Sequence, residues 1–401
     1  MKIAITGATG FVGRSLVPLL DTAGTELLLV GRDSKRISQY FPHLAACGYD
    51  ELEQKAAGFD LLVHLAVVNN NQDVPSETFH DVNVRQFLEV AYTAQRAGVS
   101  RFVNVSSIHA LNPRDRSPYA MSKREALSRL ADVKGIRTTT VFLPAIYGDS
   151  WSGKLSILNK LPKPLAGMAF ETLAAMKPVV HVSRLANYLL KDQFIEDKDE
   201  LILSDGQNGN LVYRGIRRII DVSFALAVIV FFWWGLVLIW VLIRLQSPGP
   251  GIFAQKRVGR NGAIFTCYKF RTMYVGTVQA ATNQVSATAV TSLGHTLRKA
   301  KLDELPQIWN ILRNEISLVG PRPCLPVQTE LVKARHQRGV LSLKPGISGL
   351  AQVNDIDMSD PQRLARWDAR YMALQSLLLD LKIVLATAKG GGRGDRVAER
   401  Q

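Results

Sequence analysis

Short apolar runs alternate with longer amphipathic stretches over the first 200 residues. Lys2–Thr6, Glu26–Val30 and residues 61–65, 102–106 and 138–143 are strand-like, and residues 12–20, 84–97 and 121–131 carry apolar side chains at helical spacing. Alternation of this kind predicts an α/β fold with a doubly wound parallel sheet, because each crossover helix must cover a sheet face. The acidic residues 196–200, the apolar residues 201–203 and the polar run 205–210 read as a last strand followed by a linker. There is no internal repeat.

The pattern then changes abruptly. Residues 222–243 carry no charge and include Phe231-Phe232-Trp233-Trp234. As a helix they would extend about 33 Å, enough for a bilayer core of about 30 Å. Ser247-Pro248-Gly249-Pro250-Gly251 forces a turn, and the remainder mixes strand and helix patterns up to Gly390-Gly391-Gly392. The expected organisation is a domain at 1–205, a linker at 206–213, a membrane-associated helix at 214–246, a second domain at 247–388 and a flexible tail at 389–401. The Arg-Gly-Asp at 393–395 in that tail is read as chance.

Charge follows the same division. Residues 1–205 carry 23 Lys/Arg against 22 Asp/Glu, whereas residues 206–401 carry 26 against 12. A basic surplus in one half calls for an anionic partner there: phosphorylated substrate, anionic lipid or nucleic acid. Cys47, Cys267 and Cys324 are scattered without a CxxC pair, which argues against a zinc site or disulfide framework and fits a reducing cytoplasm. The N-terminal residues run directly into a strand pattern without the features of a signal peptide, so the start of the chain is expected inside the cell.

Gly7-Ala8-Thr9-Gly10-Phe11-Val12-Gly13 follows the first strand and opens a helix. Glycines there let the backbone turn sharply and approach a pyrophosphate, which the free N–H groups at the helix start bind. Arg32, at the end of the second strand, suits a 2′-phosphate and hence NADPH, with Asp33 as ribose ligand (and NAD) the alternative. Tyr119 and Lys123, four apart on a helix, share a face, and the cation favours the phenolate of a proton donor. Ser107 can hydrogen-bond the same substrate oxygen. With Asp60–Ala66 as one strand and its tip, Asn83, Leu143–Gly148 and Val180–Ser183 added, residues 1–205 resemble the extended short-chain dehydrogenase/reductases, the Rossmann-type family of nucleotide-sugar epimerases, dehydratases and 4-keto reductases. The resemblance implies Tyr119 as acid/base, Ser107 as its partner, Lys123 as ribose ligand and Ala66 as a further cofactor contact. Leu143 stands where that family usually has Arg, and the substrate-binding portion is short, so the substrate is weakly constrained.

In the second half, Lys269 and Arg271 alternate on a strand pattern and so face one side, as suits a diphosphate. Asp303-Glu304 lies in a basic neighbourhood and suggests one nucleophile and one orienting group, with Mg2+ bridging carboxylate to phosphate. Arg322, flanked by Pro321 and Pro323, suits a phosphate. Together with residues 247–250, 268–273, 302–310, 317–323, 344–354 and 379–382, these motifs resemble the bacterial sugar transferases, the monotopic polyprenyl-phosphate phosphoglycosyl transferases. The resemblance covers residues 214–388. It implies a small α/β catalytic domain in which Asp303 attacks the sugar-linked phosphate of a UDP-sugar and UMP leaves. It also implies that Glu304 assists with Mg2+, that Asp303 and Glu304 are the metal-binding carboxylates, and that Lys269, Arg271, Arg298 and Arg322 hold phosphates. The family usually breaks its membrane helix with Ser-Pro; Trp233-Trp234-Gly235 occupies that place here. A re-entrant helix with both ends cytoplasmic is nevertheless expected, since cytoplasmic cofactor and nucleotide-sugar serve both halves. Arg214, Arg217 and Arg218 before the apolar run, and Arg244, Lys256 and Arg257 after it, agree with this.

The combined expectation is a bifunctional enzyme at the bacterial inner membrane. One half reduces a UDP-4-keto-6-deoxy-N-acetylhexosamine with NADPH; the other loads the sugar phosphate onto undecaprenyl phosphate to begin a surface glycan. An epimerase retaining NAD, or an inactive nucleotide-sensing module, are the alternatives for the first half. UDP-sugar, undecaprenyl phosphate and membrane lipid account for the positive charge without nucleic acid. The sequence leaves homodimerisation open.

Overall fold

The computed structural model describes residues 1–69, 72, 74–149, 153–191, 200–277 and 289–392. Most of the acidic run at 196–200 and the Arg-Gly-Asp at 393–395 lie outside these residues. The chain divides into two compact units, residues 1–166 with 178–205, and residues 167–177 with 206–401.

The first unit is built on seven strands: β1 (Lys2–Thr6), β2 (Glu26–Val30), β3 (Ala45–Cys47), β4 (Leu61–His64), β5 (Arg101–Ser107), β6 (Arg137–Leu143) and, after two short strands, β9 (Glu200–Ile202). They form one sheet in the order β3-β2-β1-β4-β5-β6-β9, with every pairing parallel. The doubly wound expectation holds. Strands such as Glu-Leu-Leu-Leu-Val are near-continuously apolar because helices cover both faces. On one side Ile3, Ile5 and Leu29 pack with Leu16, Leu20, Leu185 and Leu189; on the other Ala4, Leu28 and Leu62 pack with Phe87, Ala91 and Leu130. The strand order reverses between β1 and β4, so the loops after those strands flank the crevice in which such folds bind ligands. The two short strands, β7 (Ala145–Tyr147) and β8 (Val179–His181), pair in parallel beside the main sheet.

The second unit is organised by one helix, Leu211–Gln246, 36 residues long. It begins three residues before the expected position, capped by the Asn210 side chain, which accepts from the Tyr213 N–H. At Trp233-Trp234, where the re-entrant bend is expected, helical backbone runs without a break to Gln246. No proline interrupts the ladder. Gly235 serves packing instead, since a Cβ there would lie 2.5 Å from Cζ of the Phe232 ring. A stripe running from Tyr213 through Asp221, Ala225, Gly235 and Ile239 to Ile243 is buried. Ala225 packs with Phe265, Cys267, Ile308 and Ile311, and Ile239 and Ile243 pack with Phe270 and Leu297. The remaining faces expose Phe231, Trp233, Trp234, Leu238, Trp240 and Leu245, among others.

Polar contacts fix the helix start. Arg217 Nε donates to Ser317 Oγ at 2.9 Å, and Asp221 accepts from the Leu318 N–H at 2.8 Å. Arg218 donates to the Ile311 carbonyl at 2.7 Å, and Tyr213 to Asp380 at 2.7 Å. Arg217 and Arg218, part of the positive charge flanking the apolar run, thus satisfy acceptors of the domain. Beyond the helix, β10 (Ile252–Val258) and β11 (Ile264–Phe270) form an antiparallel hairpin, and β12 (Ser317–Val319) pairs in parallel with β13 (Gly346–Ser348). The expected tail starts as docked chain: the Gly391 N–H donates to the Ala386 carbonyl, and the Gly391 carbonyl accepts from Lys301 Nζ, both at 2.8 Å.

Candidate functional site

In the first unit the glycine loop joins β1 to the helix Phe11–Thr22. Gly7 has φ +73°, and a Cβ there would stand 2.6 Å from the Ala66 nitrogen, so only glycine lets the loop pass the tip of β4. The Gly10 N–H closes the turn onto the Gly7 carbonyl at 3.0 Å, with Thr9 between them. Gly10 caps the helix without a side chain, so the first-turn N–H groups, from Phe11 and Val12 onward, meet no side-chain cap. Gly13 comes so near Ala8 that a Cβ would lie 2.5 Å from its carbonyl oxygen. Such a cradle fits the pyrophosphate of a nicotinamide dinucleotide. Arg32 is exposed at the end of β2, whereas the Asp33 side chain accepts from the Arg36 N–H at 3.0 Å and caps the next helix.

Ser107 ends β5, and Tyr119 and Lys123 lie on the helix Pro118–Leu130, started by the Ser117 cap. Ser107 Oγ accepts from the His109 N–H and hydrogen-bonds Tyr119. Burial raises the Tyr119 pKa, with the Ser107 bond opposing it. The expected lowering by Lys123 is therefore not found, and burial sets the direction. Lys123 is itself buried, which lowers its pKa to about 8.

In the second unit Asp303 and Glu304 lie on a 3-10 turn, Leu302–Gln307, entered through Lys301 in the left-handed region at φ 56°. This turn separates the helix Ser292–Lys299 from the helix Ile308–Leu312. Lys269, one residue before the end of β11, places Nζ 2.7 Å from Glu304 Oε1; Arg322 places Nη2 3.0 Å from the same oxygen. Burial raises the Glu304 pKa, but the two cations outweigh it and hold the carboxyl at about 2. Asp303 goes the other way, to about 6, through burial and then the neighbouring Glu304 charge, against the pull of Lys269, Arg322 and Arg298. Arg298 Nε donates to Thr272 Oγ1 at 2.9 Å. All of these groups line one cavity of about 460 Å3.

Arg271 lines it too, but is not paired with Lys269 as strand alternation suggested. β11 ends at Phe270, and Arg271 turns to the end of the long helix, donating to the carbonyls of Ser247 and Pro248 at 2.8 Å each. Lys301, Gln352 and Gly391 are among the cavity residues to which the sequence assigned no role. Neither spacing nor composition marks them, because contacts distant in sequence bring them together. Arg335, behind Arg322 and not in the cavity lining, forms a buried pair with Asp368 at 2.8 Å and donates to the Arg322 carbonyl at 2.9 Å.

The first unit thus carries a glycine cradle on a doubly wound sheet, and the second a cation-lined carboxylate pair beside a long apolar helix. Residues 212–392 match the family model for bacterial sugar transferases, and residues 3–170 that of the NAD dependent epimerase/dehydratase family. The galactosyl transferase CpsE of Streptococcus agalactiae is 37% identical over 170 residues, covering 39% of this chain and 38% of that protein. The UDP-glucose:undecaprenyl-phosphate glucose-1-phosphate transferase of Caulobacter vibrioides is 39% identical over 181 residues, covering 43% of this chain and 67% of that protein. An uncharacterized sugar transferase, EpsL of Bacillus subtilis, is 38% identical over 152 residues, covering 37% of this chain and 73% of that protein. The chain thus spans well under half of the streptococcal relative. Among solved structures, a UDP-N-acetylglucosamine 4-epimerase from Bacillus cereus matches at 17% identity and TM-score 0.41, over 51% of this chain and 76% of that one. The chain belongs to the bacterial sugar transferase family and carries an epimerase/dehydratase-type domain ahead of its transferase domain.

Proposed function

We propose that the second unit moves a sugar phosphate from a UDP-sugar to undecaprenyl phosphate by double displacement at Asp303. The observation carrying this is the split carboxylate pair: Glu304 is held ionised by Lys269 and Arg322, while its buried neighbour Asp303 has a pKa raised to about 6. Asp303 attacks the sugar-linked phosphorus, the bond to the bridging oxygen breaks and UMP leaves with that oxygen. An oxygen of polyprenyl phosphate then attacks the same phosphorus, forming the diphosphate and restoring the carboxylate. Lys269, Arg298 and Arg322 hold phosphate oxygens during both steps. The donor set fits Mg2+: both cations engage Oε1 of Glu304, and Mg2+ is commonly held by one or two carboxylates plus substrate phosphates. Bound there by Asp303 and Glu304, it would supply charge neutralisation on the diphosphate.

The first unit is assigned the preceding reduction, at C4 of a UDP-4-keto-6-deoxy-N-acetylhexosamine. The glycine cradle would hold a nicotinamide dinucleotide, which would supply hydride; Tyr119 would give its phenolic proton to the forming alkoxide and Ser107 would hydrogen-bond that oxygen. The use of Asp33 as a helix cap leaves Arg32 as the charged group for the ribose end, which favours NADPH.

Both units are placed on the cytoplasmic side of the inner membrane. Docked on its domain from Tyr213 to Ile243, the long helix lies along the membrane surface, with its exposed apolar faces in lipid. The test is UMP release by solubilised protein with undecaprenyl phosphate, Mg2+ and a panel of UDP-sugars, with the keto sugar assayed with and without NADPH. Release that requires both Asp303 and NADPH supports the coupled reading. Release from the keto sugar without NADPH favours an epimerase or a silent first unit, and an Asp303→Asn variant as active as the parent refutes the transfer mechanism.

A further inference from the structure

The substrates of the first displacement are polar throughout, yet one end of the Asp303 cavity is apolar. Pro250, Met273, Tyr274 and Val275 form it. Tyr274 and Val275 are 50% and 65% exposed, a costly arrangement for two adjacent large side chains unless something covers them. They are not loose. The Tyr274 N–H donates to the Ala289 carbonyl at 3.1 Å, Met273 bridges to Val290, and the Arg271 N–H donates to the Gly251 carbonyl at 3.0 Å.

This end adjoins the C-terminal turn of the long helix. Gly249 lies so close to Val275 that a Cβ on it would be 2.6 Å from Val275 Cγ2, and one on Gly251 would be 2.5 Å from Cδ1 of Trp240. The exposed apolar face of the helix, with Trp240, Leu242 and Leu245, therefore reaches the cavity wall beside Arg271, whose Nη1 is the atom nearest a Cβ on Gly249. Two cations lie at the junction of wall and carboxylates. Arg298 is tied to Thr272, and Arg271, only 7% exposed, has a buried Nε with no hydrogen-bond partner. Both guanidinium groups line the cavity, and a phosphate oxygen there would lie among cations that favour it.

We propose that this end of the cavity seats the acceptor: the phosphate-proximal isoprene units rest on Tyr274 and Val275, and the phosphate meets Arg271 and Arg298. The inference rests on the transferase reading and adds to it a place for the lipid. The acceptor enters along the helix surface and its phosphate reaches Asp303 from the side opposite the Lys269–Glu304–Arg322 cluster, so donor and acceptor occupy different ends of one cavity.

The test uses the full chain in detergent and a Tyr274→Ser/Val275→Ser double variant. Two quantities are read: the burst of UMP without acceptor, which reports folding and the first displacement, and the KM for each substrate in turnover. The KM for undecaprenyl phosphate is expected to rise about ten-fold or more from the lost apolar contact, with the donor KM and the burst within two-fold of the parent. Geranyl phosphate, which keeps only the proximal units, should show the same discrimination between parent and variant. An unchanged acceptor KM in a variant with a normal burst overturns the proposal. So does a parallel loss of burst and both KM values, which would make these residues merely structural. A parent that releases no Asp303-dependent UMP would remove the transferase reading and this seat with it.

Discussion

A nucleophilic carboxylate must be ionised, and the environment of Asp303 opposes ionisation. With its pKa at about 6, about 10% of Asp303 is ionised at pH 5 and about 90% at pH 7, whereas a solvated aspartate is already more than about 90% ionised at pH 5. Glu304, held at about 2, adds no titration in this window. The second-order rate constant for UMP release in single turnover, which reports the free enzyme, should therefore fall about ten-fold from pH 7 to pH 5, with its midpoint near 6. Glu304→Gln removes the second-largest cause of the shift and also releases Lys269 and Arg322 from their partner. The midpoint should then move down, even though the rate at pH 7 drops through the disturbed site. The assay is rapid quench with UMP labelled in the donor, using enzyme in excess and no acceptor. A profile flat from pH 7 to pH 5, or a midpoint that moves up in Glu304→Gln, would refute this account of the pair.

Linkage gives the same group a second signature. Because its folded pKa is raised, stability is lost as pH rises from about 3.8 through about 6. Asp303→Asn should thus raise the thermal midpoint at pH 7.5, by the equivalent of roughly 1–3 kcal/mol, with the gain shrinking toward pH 4; equal midpoints at pH 7.5 would count against it. Arg32→Ala should weaken NADPH binding at least about ten-fold while leaving NADH within about two-fold, measured by cofactor fluorescence; equal losses for both would assign Arg32 a structural role. Asp368→Asn strands the buried Arg335 charge and should cost about 3–5 kcal/mol, read by thermal unfolding. Because Arg335 also holds the Arg322 carbonyl, UMP release should fall by more than the unfolded fraction accounts for.

What could be read from sequence depended on whether local chemistry or distant packing decides a residue's position. Glu26–Val30 and Leu61–His64 were legible because a strand buried on both faces must be nearly all apolar. The Gly7 loop was legible because strand, glycines and helix start follow in one short segment. The three-residue strands Ala45–Cys47 and Val179–His181 were not, being too short to show a period. Strand parity put Lys269 and Arg271 on one side, and failed where β11 stops at Phe270 and the end of the long helix offers Arg271 a set of carbonyls. Re-entry of the long helix was expected from topology, since both halves need cytoplasmic substrates, although Trp233-Trp234-Gly235 lacks the Ser-Pro that would break a helix. Gly390-Gly391-Gly392 looked like slack chain, yet a Cβ on Gly392 would lie 2.7 Å from the Gln352 carbonyl oxygen, so the glycine permits close packing beside the cavity.

The division of labour between adjacent carboxylates follows from what each one touches. Glu304, neutralised by two cations at one oxygen, is a poor nucleophile and a good fixed charge. Asp303, desolvated and beside that charge, is the more basic of the two, which is the pattern that separates roles in a carboxylate pair. Its basicity also suits a double displacement. Phosphate monoesters lose their second proton near about pH 6, so the phosphate of departing UMP, the Asp303 carboxylate and the phosphate of the incoming acceptor are close in basicity. A phosphosugar passed between groups of matched basicity meets no deep well and no steep climb on either side. An aspartate at its ordinary pKa of 3.8 would be about two units less basic than both partners, which would raise the acyl phosphate above the states it connects. In the proposed double displacement, burying Asp303 beside Glu304 would therefore do more than present a nucleophile to substrate: it would bring the covalent intermediate level with what precedes and follows it.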